Sequence, residues 1–152
     1  MIIRKAVSED AFDLIPLCKK GNDMHYKKRP DKFTVKDDER YFLLIKGTID
    51  AGYNTFLVAI EDNKFIGYIE YSILEKFDKV AYINQFYIED EYRKKGIGKA
   101  LMDEVEKEAK KNKCSKIELN CWSFNQNALD FYYHLGYNNQ RVILEKEIKN
   151  DN

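Results

Sequence analysis

The segment Arg93–Lys99, which reads Arg-Lys-Lys-Gly-Ile-Gly-Lys, is the stretch from which the fold of this 152-residue chain can be argued. It follows a β-rich run at 81–88 and opens a stretch in which Ile97, Leu101 and Val105 recur every four residues, as on one face of a helix. The two glycines allow a tight turn and a close approach by a ligand, because neither carries a Cβ. Amides at a helix start lack intrahelical partners, and the helix dipole favours an anion there. The segment therefore predicts a pyrophosphate site.

Two common nucleotide-binding motifs do not fit this segment. A Walker-type loop needs a Ser or Thr after Gly-Lys and a glycine five positions before the last one, but Ala100 follows Gly98-Lys99 and Arg93 stands at the earlier position. A dinucleotide fingerprint needs a third glycine where Leu101 stands. The pattern that remains is R-x-x-G-x-G between a strand and a helix. Taken alone, it also fits a basic turn exposed to solvent.

A second segment, residues 117–137, combines a strand-like run, an asparagine at position 125 and a helical pattern that ends Phe-Tyr-Tyr-His-Leu-Gly-Tyr. Together with Arg93–Lys99 it resembles the GNAT superfamily of N-acetyltransferases, in which the two motifs occur in this order. The resemblance implies a GNAT fold of the α+β type, with a mixed central sheet of six to seven strands, flanking helices and a splay between the two central strands.

The rest of the chain fits one domain over residues 1–152, long enough to bury a core of its own. The order of elements is mixed α/β, with an antiparallel half that leads into a parallel crossover. Strand patterns lie at 2–6, 55–60, 65–74, 81–88, 116–122 and within 141–148, and helical patterns lie around 11–18 and at 36–50, 97–112 and 125–135.

Composition argues against several other classes of protein. Lys plus Arg and Asp plus Glu each number 26, so no overall basic excess indicates nucleic-acid binding, although the basic stretch 27–32 keeps that alternative open. No apolar run has membrane-spanning length. Three cysteines without C-x-x-C spacing and two distant histidines favour a cytoplasmic protein with free thiols and no metal site.

The resemblance implies acetyl-coenzyme A as cosubstrate and assigns residues to it. The strand backbone at Phe86, Tyr87 and Ile88 would pair with the pantetheine arm, in the manner of an added strand. Asn125 is both a natural helix N-cap and the asparagine that contacts the cofactor in the family. The residues implied at the pyrophosphate, mostly through main-chain amides, are Arg93, Lys94, Lys95, Gly96, Ile97, Gly98 and Lys99.

Tyr132 is the catalytic candidate, because a tyrosine at this place in the family protonates the departing thiolate. A phenol is neutral at physiological pH and can donate that proton. Tyr133 is its rival but lies on another face of the same helix. A plain buried aromatic residue is the structural alternative for Tyr132.

The general base is less clear, because the stretch where many family members carry a glutamate contains Asn84 and Gln85. Amides are not bases near neutral pH. Glu70 or Glu118 could act through water, or the amine could arrive already neutral. His134 has a suitable titration range but fits a solvated helix end better.

The reaction that the resemblance implies is direct attack of a primary amine on acetyl-coenzyme A in a ternary complex. A covalent route through Cys121 is the minor alternative, and His25 lies in a basic loop that could border the acceptor. The missing carboxylate also leaves open a non-catalytic coenzyme A binding module that regulates a partner protein. The acceptor could be a polyamine, an aminoglycoside, an amino acid, or a peptide or protein amine, and a homodimer is conceivable because dimers are common in the family.

Overall fold

A computed structural model describes residues 1–75 and 77–150, and the chain divides into two compact units, Met1–Asn120 and Cys121–Asn152. The described residues of the first unit form three helices and five strands: β1 (Ile2–Lys5), α1 (Ala11–Lys28), α2 (Asp38–Ala51), β2 (Asn54–Glu61), β3 (Lys64–Glu75), β4 (Lys79–Ile88), α3 (Ile97–Lys111) and β5 (Lys116–Leu119). Short 3-10 turns lie at Ser8–Asp10 and Asp90–Tyr92. The second unit holds helix α4 (Gln126–His134).

The sheet of the first unit has the order β1-β2-β3-β4-β5. Its first four strands are antiparallel to their neighbours, and β5 pairs parallel to β4. The β2–β3 hairpin turns through Asp62 and Asn63, both at positive φ, which lie between the predicted strand patterns at 55–60 and 65–74. An antiparallel half followed by a parallel crossover through α3 therefore confirms the predicted arrangement of the central strands.

One face of the sheet packs against α1 and α2. Paired residues on neighbouring strands share a face, so Phe56, Val58, Tyr68 and Tyr87 point to the same side, where they join a buried cluster with side chains of both helices. Glu70 pairs with Phe56 and therefore also lies on this side.

Helix α3 covers the opposite face. Tyr71 follows Glu70 in β3 and therefore points to this opposite face, within electrostatic range of Glu104 and Glu108 of α3. Burial is the largest cause that raises the pKa of its phenol, followed by the charges of Glu108 and Glu104. The buried residues of α3 follow the predicted four-residue spacing: Ile97, Leu101, Met102, Val105 and Ala109.

Helix α2 has well-defined ends. The side chain of Asp37 accepts a hydrogen bond from the Arg40 amide at 2.8 Å, which caps the first turn. Gly52 ends the helix in the left-handed region, with φ at 75°. No helix among the described residues combines the length and the apolar character needed to cross a bilayer.

The prediction of six to seven strands is wrong, because the described residues form five. The missing strand is the one predicted within 141–148: residues 138–150 belong to no helix or strand, and Val142, Ile143, Leu144 and Ile148 are 74–88% exposed. A β-prone composition becomes a strand only when a partner edge pairs with it, and local sequence cannot show whether one is present. Strand β5 also ends at Leu119, before the predicted end at 122.

Candidate functional site

The parallel strands β4 and β5 pair over four positions and then separate. Their ladder runs from Val80↔Lys116 to Ile83↔Leu119, whereas β4 continues along β3 to Ile88. After Ile83, the edge of β4 that faced β5 is no longer paired with β5. An opening of this kind lets an extended ligand pair with strand backbone.

The register of β3 and β4 changes at the same level. Glu70 pairs with Gln85, but Tyr71 pairs with Ile83, so Asn84 is an extra residue in β4. Such a bulge takes local backbone groups out of the regular ladder and redirects neighbouring side chains. The strand separation and the bulge therefore coincide at Asn84, inside the stretch in which the chain has Asn84 and Gln85 in place of a carboxylate.

The turn that follows β4 leads directly into the first turn of α3. Lys94 and Gly96 have positive φ, at 60° and 82°, and Gly96 is the N-cap residue of α3 without a side-chain cap. The first intrahelical bond is donated by the Ala100 amide to the Gly96 carbonyl at 3.0 Å. The amides of residues 97–99 lie before that first bond and so have no partner within the helix, which leaves them able to bind an anion. A Cβ built on Gly96 meets nothing within 4 Å, which leaves open space beside this turn.

The basic side chains around the turn have different roles. Arg93 donates from Nε to the Ile88 carbonyl at 3.0 Å, forms an ion pair with Asp90 at 3.0 Å and lies over the ring of Tyr87. It therefore ties the turn to the end of β4. Lys94, Lys95 and Lys99 are exposed, the last in an ion pair with Asp103 at 2.9 Å. Exposed lysines contribute screened charge, so the amides are the better-defined anion donors.

The predicted strand contacts lie just before this turn. Tyr87 and Ile88 are buried, and Phe86, half-buried, pairs with Ile69 on β3. The candidate residues Phe86 to Ile88 and Arg93 to Lys99 thus form one continuous stretch of the first unit. Contact of their main chain with coenzyme A stays a prediction.

In the second unit, Asn125 is the N-cap of α4. Its side-chain oxygen accepts a hydrogen bond from the Ala128 amide at 3.3 Å, and its carbonyl accepts one from Leu129. The N-cap role predicted from the sequence is confirmed. The role in cofactor contact stays a prediction.

The two neighbouring tyrosines of α4 differ sharply in environment. Tyr132 is 8% exposed, against Phe131 and Tyr137, and burial, with smaller effects of Cys121 and Tyr137, raises the pKa of its phenol. Tyr133 is 43% exposed and donates from its hydroxyl to Asn139 at 2.7 Å. Tyr132 is therefore held neutral by its surroundings, as a proton donor must be.

The remaining candidates are less well placed for chemistry. His134 is exposed at the end of α4. His25 lies within α1 and not in a loop as predicted; its ring contacts the Gly21 carbonyl at 2.8 Å and stacks on Phe33. Burial raises the pKa of the Cys121 thiol, which disfavours a nucleophilic thiolate. Within residues 1–75 and 77–150, no group of three or more His, Cys, Asp or Glu side chains could hold a metal ion.

The two glutamates considered as bases occupy different settings. Glu118 lies on β5, partly exposed and 3.7 Å from Lys116. Glu70 is buried on β3 beside the bulge, and Asn54 donates to its Oε2 at 2.6 Å. Asn54 and the buried Ser72 were not among the residues that the sequence motifs indicated. The alternation of polar residues at 68, 70 and 72 in an otherwise apolar strand was the signal that could have found this face.

Comparison with known proteins adds two findings on sequence. The family model described as Acetyltransferase (GNAT) family matches residues 22–137. An uncharacterized N-acetyltransferase of Methanocaldococcus jannaschii, MJ1207, is 28% identical over 149 residues, which are 93% of this chain and 62% of that protein. The chain thus spans about three-fifths of the length of this relative.

Solved structures share the fold. A tetramutant of the BH1408 protein from Bacillus halodurans has a TM-score of 0.88 at 24% identity, covering 97% of this chain and 100% of its own. The aminoglycoside N-acetyltransferase AAC(6')-Iy, in complex with the bisubstrate analogue CoA-S-monomethyl-acetylneamine, has a TM-score of 0.77 at 17% identity and covers 97% of this chain and 98% of its own. At these identities the likeness is one of fold.

Proposed function

The chain belongs to the GNAT family of acetyltransferases, and on that premise we propose that it transfers the acetyl group of acetyl-coenzyme A to a primary amine, by direct attack in a ternary complex. The observation that carries the proposal is the separation of β4 from β5 after Ile83, which leads along one stretch of chain into the uncapped first turn of α3. Backbone for an extended arm is followed by amides for an anion. This is the order of groups along the pantetheine and pyrophosphate of coenzyme A.

The residues present fit such a ligand. The open space beside Gly96 admits a phosphate close to the backbone, and the three amides of the first turn face the N-terminal side of α3. Arg93 holds the turn against the end of β4 without being needed as a direct ligand. Structural neighbours crystallised with coenzyme A or a coenzyme A analogue support the same cosubstrate.

The chain contributes to catalysis mainly by orientation. Binding both reactants in one site replaces an encounter in solution by an intramolecular geometry. A strand amide near the bulge at Asn84 would donate to the thioester oxygen as charge develops there. Tyr132, neutral because it is buried, would protonate the departing thiolate.

The test is thiol release from acetyl-coenzyme A across a panel of amines, with the amine-free rate subtracted. A polyamine, an aminoglycoside, an amino acid and a peptide with one free amine represent the acceptor classes. Coenzyme A binding by calorimetry is measured beside it. Amine-dependent release supports the transferase. Tight coenzyme A binding without release across the panel favours the non-catalytic binding module, and neither binding nor release contradicts the proposal.

A further inference from the structure

Three carboxyl side chains are buried among the described residues of the first unit, and two of them have a cation from the same chain. Asp10 accepts hydrogen bonds from Arg4 at 2.7 and 3.0 Å. Glu89 contacts Lys20 through both oxygens at 2.8 Å. The third is Glu70, which is 6% exposed. Pairing of this kind is what makes a buried carboxylate tolerable.

Within residues 1–75 and 77–150, Glu70 has no such cation. Its hydrogen-bond partner is the Asn54 amide, at 2.6 Å, and in the part of the chain that the structure describes no Lys, Arg or His forms an ion pair with it. One neutral donor compensates a buried negative charge poorly. The carboxylate therefore lacks a positive partner that the other two possess.

The place of Glu70 in the sheet indicates where such a partner would come from. Glu70 and Gln85 form the last regular pair before the bulge at Asn84, at the level where β4 and β5 separate. On this face Asn84 donates to the Ser72 hydroxyl at 3.3 Å, and the Tyr68 hydroxyl donates to Gln85 at 2.6 Å. Asn84 and Gln85 are exposed, so polar groups extend from the buried carboxyl to the surface.

We propose that Glu70 is the acceptor subsite: it holds the ammonium group of a protonated aliphatic primary amine and takes the proton that the amine must lose before attack. The inference rests on the proposed function and extends it to a substrate class and to a base. The cation that the fold does not supply is supplied by the substrate. A charged acceptor pairs with Glu70, whereas an arylamine, neutral at the same pH, gains nothing from it.

The step balances as follows. One N–H proton of the ammonium passes to a carboxylate oxygen of Glu70, which becomes a neutral carboxyl while the nitrogen regains its lone pair. That lone pair forms the N–C bond to the thioester carbonyl carbon. The C–S bond then breaks, its electron pair leaves with sulfur, and the thiolate takes a proton from the phenol of Tyr132. The nitrogen of the new amide loses its extra proton to solvent, Glu70 releases the proton it took to solvent, and the Tyr132 phenolate regains a proton from solvent, so each turnover releases one proton.

Two titratable groups face Glu70 from the elements packed around it, Cys18 on α1 and Tyr68 on β3. Burial raises the pKa of the Cys18 thiol to about 12 and raises that of the Tyr68 phenol as well, so both are neutral at acidic and neutral pH. The facing residues of β2 and β4, Asn54 and Gln85, do not titrate. Burial also raises the pKa of Glu70 itself. Among the groups that face this carboxyl, Glu70 is therefore the one whose ionisation would give an acidic limb in the pH profile of acetylation.

The experiment compares wild type with Glu70→Gln, using butylamine and spermidine as ammonium probes and aniline as a neutral probe. Glutamine is the same size, and its oxygen can still accept from Asn54. Glu106→Gln makes the same change on the exposed side of α3 and serves as the control. For each protein, coenzyme A affinity, kcat and KM for each amine, and the pH profile of kcat/KM are measured.

We expect Glu70→Gln to bind coenzyme A like wild type but to lose roughly 10²-fold in kcat/KM for the alkylamines, the lower end of the range for acid–base groups. Its acidic limb should disappear, and aniline should be affected much less. Unchanged alkylamine kinetics and pH profile in Glu70→Gln would overturn the subsite and leave the transferase intact. If wild type binds coenzyme A but neither acetylates nor binds the alkylamines, the subsite is also overturned. Failure of the wild-type protein to bind coenzyme A would instead count against the proposed function.

Discussion

Arg93 and Ile88 are joined by a hydrogen bond of 3.0 Å from the guanidinium Nε to the backbone carbonyl. The bond closes the turn between β4 and α3 onto the strand that precedes it. We predict that Arg93→Ala weakens coenzyme A binding by about tenfold, since one charge-assisted hydrogen bond is worth about 1.5 kcal/mol. Lys94→Ala, which removes an exposed charge from the same turn, should change affinity by less than about threefold. Calorimetry with coenzyme A measures both, and equal losses would contradict the anchoring role of Arg93.

Gly96 and Gly52 offer a matched pair for the anion site. Both lie in the left-handed region, with φ at 82° and 75°, and a Cβ on either meets nothing within 4 Å. Alanine at either position should therefore destabilise folding by a similar amount, about 1 kcal/mol. We predict that only Gly96→Ala also weakens coenzyme A binding, because the space beside it is where the phosphates would lie. Denaturant unfolding and calorimetry measure the two effects, and equal affinity in both variants would argue against the site.

The two tyrosines of α4 test the proton donor. Tyr132→Phe should lower kcat by about 10²–10⁴-fold, the usual range for loss of an acid–base group. Tyr133→Phe removes an exposed hydroxyl bonded to Asn139 and should leave kcat within about twofold of wild type. Steady-state acetylation with the best amine of the panel measures this difference. Activity of Tyr132→Phe equal to that of wild type would reduce Tyr132 to a buried aromatic residue.

Burial of Tyr132 also predicts a pH dependence. Burial raises the pKa of its phenol well above the ordinary tyrosine value, so the donor stays protonated at a pH at which an exposed tyrosine would ionise. The rate should therefore show no decline near pH 10 that belongs to this group. At a pH between the pKa of this phenol in the unfolded chain and its raised pKa in the folded protein, only the unfolded chain ionises it. The free energy of unfolding therefore falls as the pH rises above about 10. A pH–rate profile of wild type beside Tyr132→Phe tests the first statement.

Local patterns predicted the parts of the fold that depend on neighbouring residues. Two examples are the spacing of apolar residues in α3 and the cap at Asn125, which both involve residues within a few positions of one another. The prediction of a strand within 141–148 was wrong because a strand depends on pairing with a distant edge, which composition does not reveal.

The candidate site shows the same division. The anion site could be predicted from sequence because its glycines, the start of α3 and the preceding strand end all lie in one continuous stretch. The isolation of Glu70 could not, because it depends on which side chains β2, β4 and α1 bring to one face of β3. The sequence named Glu70 as one of two bases, and burial without a cation is what separates it from Glu118.

The missing cation beside Glu70 predicts an unusual effect on stability. Burial raises the pKa of the Glu70 carboxyl above its ordinary value, so the folded protein holds this proton more tightly than the unfolded chain does. The stability that this group contributes is therefore highest below the ordinary pKa and is lost as the pH rises through the folded pKa. Glu70→Gln should therefore raise the free energy of unfolding near pH 7.5 by on the order of 1 kcal/mol, with little difference near pH 4. Glu89→Gln, which weakens the contact with Lys20, should instead lower it by about 1 kcal/mol near pH 7.5. Urea unfolding at the two pH values measures both, and destabilisation by Glu70→Gln at neutral pH would mean that its charge is already compensated within the fold.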